Sequence, residues 1–130
     1  VTFHNEDYPG LLAYLKELEK AKVDAIIVSD MAVVDLVKEE NINLPLHIST
    51  QMSNANSESV SFLKDQGVER VVLARECSKE NIKEIIEKTG VEIECFLHGA
   101  MCSSYSGRCV LSNYFTKRDA NRGGCAQICR

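Results

Sequence analysis

The residues best suited to chemistry are cysteines, and most of them lie near the end of this 130-residue chain. Cys102 and Cys109 are seven positions apart, and Cys125 and Cys129 are four positions apart. Neither pair has the CxxC spacing of zinc ribbons and thioredoxin-type redox sites. Four soft thiolates in a glycine-rich segment favour an iron–sulfur cluster; zinc is the next choice, and free or disulfide-bonded cysteines are the remaining one.

The charge of the chain is divided between a basic end and an acidic body. Residues 101–130 carry a net charge of +4, and because the whole chain carries −4, residues 1–100 carry −8. A local excess of Arg and Lys predicts an anion-binding site at this end, and a solvated charged loop is the alternative. A protein that coats DNA would be basic over its whole surface, so that class is disfavoured.

The composition fits one small globular domain in a reducing compartment. Hydrophobic residues make up 45% of the chain and charged residues 26%, which excludes a disordered segment. Uninterrupted apolar runs such as residues 25–28 are too short to cross a membrane. Only Cys77 and Cys95 lie outside the terminal group, which argues against a secreted scaffold built on disulfides and favours a cytoplasmic protein.

Residues 1–100 have the pattern of repeating βα units. Helices are predicted where apolar residues recur at helical spacing, and strands where short runs are apolar and β-branched. The predicted helices cover residues 11–21 and 31–40, a third ends at Gly67, and a fourth runs from an N-cap at Ser78 to Gly90; the predicted strands cover residues 23–28, 44–48, 68–74 and 91–97. Strand ends that recur about every 20–25 residues indicate a parallel sheet.

The chain is too short for a complete barrel of such units. A (β/α)8 barrel takes about 250 residues, so we expect residues 1–100 to be partial barrel units of a TIM-barrel-like domain in a longer protein. Residues 101–130 are predicted to form a Cys- and Gly-rich basic loop segment continuous with that α/β domain. An incomplete barrel leaves sheet edges exposed, and a homodimer is one way to cover them.

Polar residues follow every predicted strand at the face where parallel α/β proteins carry their active sites. Ser29 and Asp30 follow the first strand, and we expect them to cap the next helix. The other strands are followed by candidates for substrate contact, which are Ser49, Gln51, Arg75, Glu76 and His98. For Arg75 and Glu76, a capping or surface pair is an equal alternative.

Alternation along residues 91–97 separates two sets of side chains. Cys95 falls on the apolar face, so it is predicted to be a small buried hydrophobic residue. Glu94 and His98 fall on the opposite face. A carboxylate within a buried strand needs a partner, for which Arg75 is the candidate, unless Glu94 lies at a solvated strand start.

Within this context, the run ECFLHGAMCSSYSGRCVLS at residues 94–112 resembles the signature of the peptidase U32 family. The similarity continues through RDANRGGCAQICR at residues 118–130 and extends back to Ser49–Gln51 and to Arg75 and Glu76. It therefore covers essentially the whole chain, and a motif of this length is far more specific than a lone glycine-rich signature.

The resemblance implies a TIM-barrel-like catalytic domain and two kinds of activity. Some members of the family are described as collagenase-like proteases, whereas other branches hydroxylate RNA or ubiquinone precursors and hold a [4Fe–4S] cluster through cysteines. The stretches YSGRC and RDANRG are most similar to the branch that makes 5-hydroxyuridine in tRNA and draws on prephenate. The family pattern implies ligand roles for Cys102, Cys109 and Cys125. The fourth ligand is either Cys129 or, as in some branches of the family, a residue further along the chain.

Two functions follow from these residues. In an iron–sulfur tRNA hydroxylase, His98 and Glu94 would be catalytic, and Arg118, Asn121 and Arg122 would help to bind tRNA and a small anionic co-substrate. In a peptidase, Cys102 or Cys109 would act as a nucleophile with His98, although neither a Ser-His-Asp order nor an HExxH helix is present. A domain that serves only as an assembly partner is the third alternative.

Overall fold

The computed structural model describes residues 1–130, and helices alternate with short strands as far as Glu94. Beyond that residue, the chain is mostly loop and carries one short helix. None of the helices is long and apolar enough to pass through a membrane. The elements in chain order are α1 (Leu11–Ala21), β1 (Ile26–Val28), α2 (Met31–Glu39), β2 (Leu46–Ile48), α3 (Ser57–Asp65), β3 (Arg70–Val72), α4 (Lys79–Thr89), β4 (Glu92–Glu94) and α5 (Leu111–Thr116).

The four strands form one parallel sheet in the order β1-β2-β3-β4. Val28 pairs with Ile48, Ile48 pairs with Val71, and Val71 pairs with Ile93. Each strand thus lies beside the next strand in the sequence, with a helix in the connection, which is the order of neighbouring units in a barrel wall. The predicted α/β class and the repeating βα units are confirmed.

Helices cover only one face of this sheet. Leu46, Ile48 and Val71 point to that face and are fully enclosed by apolar side chains. The helical side chains that pack there are Val33, Val34, Val37, Val60, Leu63 and Ile85. Because side chains alternate along a strand, the opposite face carries a different set, which includes the exposed Ile27 and the charged Arg70 and Glu92. The sheet has a core on one side and an open, partly charged surface on the other.

Local capping residues fix where the helices begin and end. Asp30 accepts a hydrogen bond from the Ala32 N–H and caps α2, and Ser78 accepts one from Asn81 N–H and caps α4. Gly90 ends α4 in the left-handed conformation, as predicted. Ser29 does not cap, because its hydroxyl donates to the Val1 carbonyl oxygen at 2.6 Å.

The observed strands are shorter than the predicted ones, with three residues each. Leu73 and Ala74 belong to the predicted third strand and are buried, yet they lie beyond its ladder. An apolar sequence pattern predicts which residues are buried, whereas a strand is defined by backbone pairing. In this segment burial continues for two residues beyond the last paired residue. The prediction that Cys95 is buried is wrong: β4 ends at Glu94, and the Cys95 side chain is exposed.

Helix α3 offers a test of the core, because it carries one enclosed and one exposed large side chain in adjacent positions. Leu63 is 2% exposed, and Phe62 is 56% exposed. We expect Leu63→Ala to lower the free energy of unfolding by about 3 kcal/mol, because it removes buried surface and leaves a cavity. The matched control Phe62→Ala should change it by less than about 0.5 kcal/mol. Urea unfolding followed by circular dichroism measures both, and equal losses would contradict the described core.

Candidate cysteine-lined site

A pocket of about 260 Å³ lies where the last third of the chain folds over the carboxyl ends of β2 and β3. It is referred to below as the cysteine pocket. Its lining includes Gln51 from the loop after β2 and Arg75 from the loop after β3. The four cysteines of the terminal group all line it, namely Cys102, Cys109, Cys125 and Cys129. The fold therefore brings into one place the thiols that sequence spacing groups together.

The donor chemistry of this pocket fits a thiolate-bound metal or cluster, although its geometry is not that of a finished ligand set. Four soft sulfur donors around one cavity suit iron or zinc. No group of three Cys, His, Asp or Glu side chains is arranged to hold a metal ion in this conformation. Binding would therefore require the thiols, which are carried on loops, to converge further.

Cys109 is the thiol whose surroundings most favour the reactive form. Its sulfur accepts a hydrogen bond from the Ser104 hydroxyl at 3.4 Å, and this bond together with the backbone N–H of Leu111 lowers the pKa of Cys109. A lower pKa increases the fraction of thiolate, which is both the metal ligand and the nucleophile. The contrast is Cys77, which packs against the core outside the pocket and has a pKa raised mainly by burial.

A single buried serine holds the cysteine loop, residues 102–109, on the sheet. Ser106 is 1% exposed. Its backbone N–H donates to Glu76 Oε1 at 2.9 Å, and its hydroxyl accepts from the Arg75 N–H at 3.2 Å. The Ser53 hydroxyl donates to the Ser106 carbonyl oxygen, which adds a contact from the loop after β2. Through these bonds the loop is attached to two neighbouring strand ends at once.

Arg75 and Glu76, both predicted to bind substrate, thus have an observed role in positioning this loop. The Arg75 guanidinium also donates to the Ser104 carbonyl oxygen. Burial raises the pKa of Glu76, but hydrogen bonds from Ser106 and from the Glu76 backbone, together with the charge of Arg75, outweigh it, and the net pKa is lowered. The carboxylate is therefore charged near neutral pH and remains an acceptor for the loop. Arg75 lines the cysteine pocket and Glu76 does not.

Gly107 packs directly against the backbone of the loop after β2. Its φ is +69°, and a Cβ atom there would lie 1.9 Å from the carbonyl oxygen of Gln51. Only glycine permits this approach. Gln51, another predicted substrate residue, thus supports the loop with its backbone and lines the pocket. Ser49 caps the short turn after β2 by accepting from the Gln51 N–H at 3.2 Å.

The far side of the pocket is fastened by contacts to the start of the chain. Asn121 lines the pocket and donates from Nδ2 to the Cys109 carbonyl oxygen at 3.2 Å. Arg122, predicted to bind an anionic substrate, instead forms a two-pronged ion pair with Asp7 and also donates to the Thr2 carbonyl oxygen at 3.0 Å. Arg122 does not line the pocket, whereas its neighbour Asn121 does.

The two residues predicted to be catalytic, His98 and Glu94, do not line the cysteine pocket. His98 lines an adjacent pocket of about 210 Å³ together with Arg75 and Cys102. Of the two alternatives for Glu94, pairing with Arg75 is not observed: Glu94 is exposed, and its Oε2 lies 3.6 Å from an Arg70 nitrogen. Strand register explains this pairing, since Arg70 lies on β3 directly beside β4 and shares its open face. Arg118 is exposed at the surface.

A larger pocket of about 640 Å³ adjoins the cysteine pocket, and sequence reasoning did not identify it. Its polar lining includes Ser53, Glu76 and Arg108, and the two pockets share Ser104, Tyr105, Cys109 and Leu111. Ser106 was also not singled out. The available signal was the polar run between Cys102 and Cys109.

The sequence matches Peptidase family U32 over residues 1–130, and the chain belongs to this family. It is 53% identical over 127 residues to tRNA hydroxylation protein P1 of Bacillus subtilis, and the aligned region covers 98% of this chain and 30% of that protein. It is 42% identical to tRNA hydroxylation protein P of Escherichia coli, with 98% and 28% of the two chains covered. A third relative is a collagenase of Porphyromonas gingivalis, 36% identical, with 98% and 33% covered.

The fold is similar to that of a solved U32 peptidase structure. The TM-score is 0.60 at 21% identity, and the match covers 71% of this chain and 38% of the other. This likeness agrees with a partial TIM-like domain. The chain spans about 30% of the length of the curated relatives it matches.

Gly107 and Gly123 form a matched pair for testing the attachment of the cysteine loop. Both have positive φ, but only at Gly107 would a Cβ atom meet another part of the chain. We expect Gly123→Ala to cost about 1–2 kcal/mol of stability from backbone conformation alone. Gly107→Ala should cost about 1–3 kcal/mol more, because the loop must move off Gln51. Urea unfolding measures the difference, and equal losses in the two variants would contradict the described contact.

The Asp7–Arg122 ion pair predicts a specific titration. The hydrogen bond from Arg122 lowers the pKa of Asp7 from 3.8 to about 2. A lowered pKa means that the contribution to stability is complete above about pH 3.8 and is lost as the pH falls through about 2. NMR titration of the Asp7 carboxyl carbon should give a midpoint near 2, and Arg122→Gln should raise it towards 3.8. Arg118→Gln is the control, and a wild-type midpoint near 3.8 would disprove the pairing in solution.

Proposed function

We propose that this chain belongs to an enzyme that hydroxylates uridine at C5 in tRNA and holds an iron–sulfur cluster. The observation that carries the proposal is the placement of four cysteines around one pocket, in a chain that is 53% and 42% identical to two tRNA hydroxylation proteins. The basic end of the chain lies at the same place, which suits a polyanionic substrate.

In this proposal, Cys102, Cys109 and Cys125 hold the cluster, and Cys129 is the candidate for the fourth ligand. When bound, a [4Fe–4S] cluster supplies one-electron redox chemistry at the site. The residues of the chain set its surroundings. Ser104 and the Leu111 N–H favour the thiolate of Cys109, and the buried Ser112 hydroxyl lies 4.0 Å from the Cys125 sulfur. Hydrogen bonds to ligating sulfurs tune both affinity and potential.

We also assign the small anionic co-substrate to the pocket of His98. Arg75 lines both this pocket and the cysteine pocket, and Arg binds carboxylates through paired donors. The imidazole of His98 lines the same pocket and can form a hydrogen bond to such an anion. Prephenate is the co-substrate that the family resemblance suggests. Glu94 faces Arg70, and its predicted catalytic role is the least supported by contacts.

A peptidase is the second candidate, and one observation favours it. The lowered pKa of Cys109 would suit a nucleophile. The histidine, however, shares its pocket with Cys102. The cysteine with the lowered pKa, Cys109, is therefore not the cysteine that lies beside the histidine, Cys102. A peptidase would also leave the remaining thiols without a role.

Metal analysis of the native full-length protein tests the first proposal. After anaerobic purification we expect about four irons and four sulfides per chain, with thiolate-to-iron absorbance bands. Cys102→Ala and Cys109→Ala should each abolish the absorbance, while Cys95→Ala, which changes an exposed thiol outside the pocket, should retain it. In a deletion strain, only wild type and Cys95→Ala should restore 5-hydroxyuridine in tRNA.

The contrary outcomes are distinct. A full cluster in both pocket variants would disprove the ligand assignment. Stoichiometric zinc would indicate a structural or hydrolytic site. Cleavage of gelatin by metal-free protein, lost in Cys109→Ala and unaccompanied by any change in tRNA, would favour the peptidase.

A further inference from the structure

Beside the cysteine pocket, three aromatic rings lie in solvent among cations. Tyr105, Tyr114 and Phe115 are 74%, 82% and 67% exposed. None of the three nearby basic side chains, Arg108, Lys117 and Arg118, forms an ion pair with a carboxylate. These six residues are called the aromatic–basic face. Their rings contribute little to the core, and their charges are not neutralised by the acidic body.

The backbone beneath this face is held firmly. Tyr114 and Phe115 lie on α5, with ring centroids 5.0 Å apart in an edge-to-face arrangement. Ser112 at the base of α5 is 1% exposed, and its hydroxyl accepts from the Ala126 N–H at 2.9 Å. The Thr116 hydroxyl donates to the Ser112 carbonyl oxygen at 2.7 Å. The rings are thus presented on an anchored support, and exposed aromatic residues in such a position indicate a binding surface.

We propose that the aromatic–basic face binds a single-stranded segment of RNA, an inference that rests on the proposed function. Bases stack on Tyr105, Tyr114 and Phe115, and phosphates contact Arg108, Lys117 and Arg118. Stacking needs bases that are free of a duplex, because paired bases present only their edges and backbone to a protein. Exposed rings together with unpaired cations are the combination that binds single strands.

Charge complementarity distinguishes RNA from a peptide or a second copy of the chain. Residues 101–130 carry +4 while residues 1–100 carry −8, so a polyanion is attracted to this end and repelled elsewhere. A neutral structural peptide gains nothing from the free cations. A second copy docked through the same patch, as in a twofold dimer, would bring its own cations and be repelled.

The position of the face connects it to the proposed reaction. Tyr105 and Arg108 also line the pocket of about 640 Å³, which shares Cys109 with the cysteine pocket. Enzymes that modify a base take it out of the stack into a pocket. A nucleotide bound on the face can place its base in this space, directly beside the thiols.

The test measures binding of fluorescein-labelled single-stranded RNA and unmodified tRNA to the native full-length protein by anisotropy at several salt concentrations. Tyr114→Ala and Phe115→Ala should each weaken binding about 5- to 100-fold without changing the salt dependence. The double variant Lys117→Ala/Arg118→Ala should lower the slope of log K against log salt by about 1 to 2. The controls Tyr14→Ala, a 60% exposed ring on α1, and Lys79→Ala should bind within about twofold of wild type.

Two readouts keep this proposal separate from the proposed function. If wild type restores 5-hydroxyuridine but the face variants bind RNA as the controls do, the face is wrong and the function stands. If wild type binds no RNA and restores no 5-hydroxyuridine, both are wrong. Loss of binding to a gelatin peptide in the face variants, with RNA binding intact, would overturn the RNA assignment in favour of a peptide surface. Circular dichroism establishes that each variant is folded.

Discussion

The arrangement of the site depends on the hydrogen bonds of one buried polar residue, Ser106. Ser106 has its N–H, hydroxyl and carbonyl groups enclosed by protein, and each of them finds a partner from the loops after β2 and β3. An unpaired polar group in that position would cost about 1–3 kcal/mol, so these bonds favour the position in which Ser106 and the cysteine loop are attached to the sheet. Because Cys102 and Cys109 lie at either end of this loop, the same bonds determine where two of the four thiols are placed. The rigidity of the sheet is transmitted to a segment that has no regular structure.

The acidic body and the basic end make different use of their charges. Within the body, carboxylates pair with neighbouring cations, as between Arg70 and Glu92 at 2.7 Å. At the basic end, Arg122 is committed to Asp7, while Arg108, Lys117 and Arg118 have no acidic partner. One arginine therefore holds the structure together, and the other cations remain available to a ligand. Residue type alone does not separate these roles.

The sequence was informative wherever structure is decided locally. The helices, the parallel order of the strands and the caps at Asp30, Ser78 and Gly90 follow from periodicity and from single residues, and the structure has them. The grouping of four cysteines in one place agrees with their spacing.

The remaining features depend on contacts between distant residues, which leave no pattern in one sequence. Ser106 meets Glu76 across 30 positions, and Arg122 meets Asp7 across 115. Arg75, Glu76 and Arg122 were interpreted as substrate residues, with a capping or surface pair as the alternative for the first two. Their observed partners Ser104, Ser106 and Asp7 are distant in sequence and were not predicted. At Cys95 a local pattern was misleading: the alternation of apolar residues predicted burial, but β4 ends at Glu94 and the Cys95 side chain is exposed.

The pairing of Arg122 with Asp7 also has a consequence for the order of assembly. Contacts between βα neighbours join residues about one unit apart, and the entropy of closing such short loops is small. The contact between Asp7 and Arg122, next to the pocket residue Asn121, by contrast joins two segments separated by nearly the whole chain. Closing a loop of that length costs more entropy than closing one βα unit, which favours its formation after the local contacts. The sheet can thus form before the first and last segments of the chain meet beside the cysteine pocket.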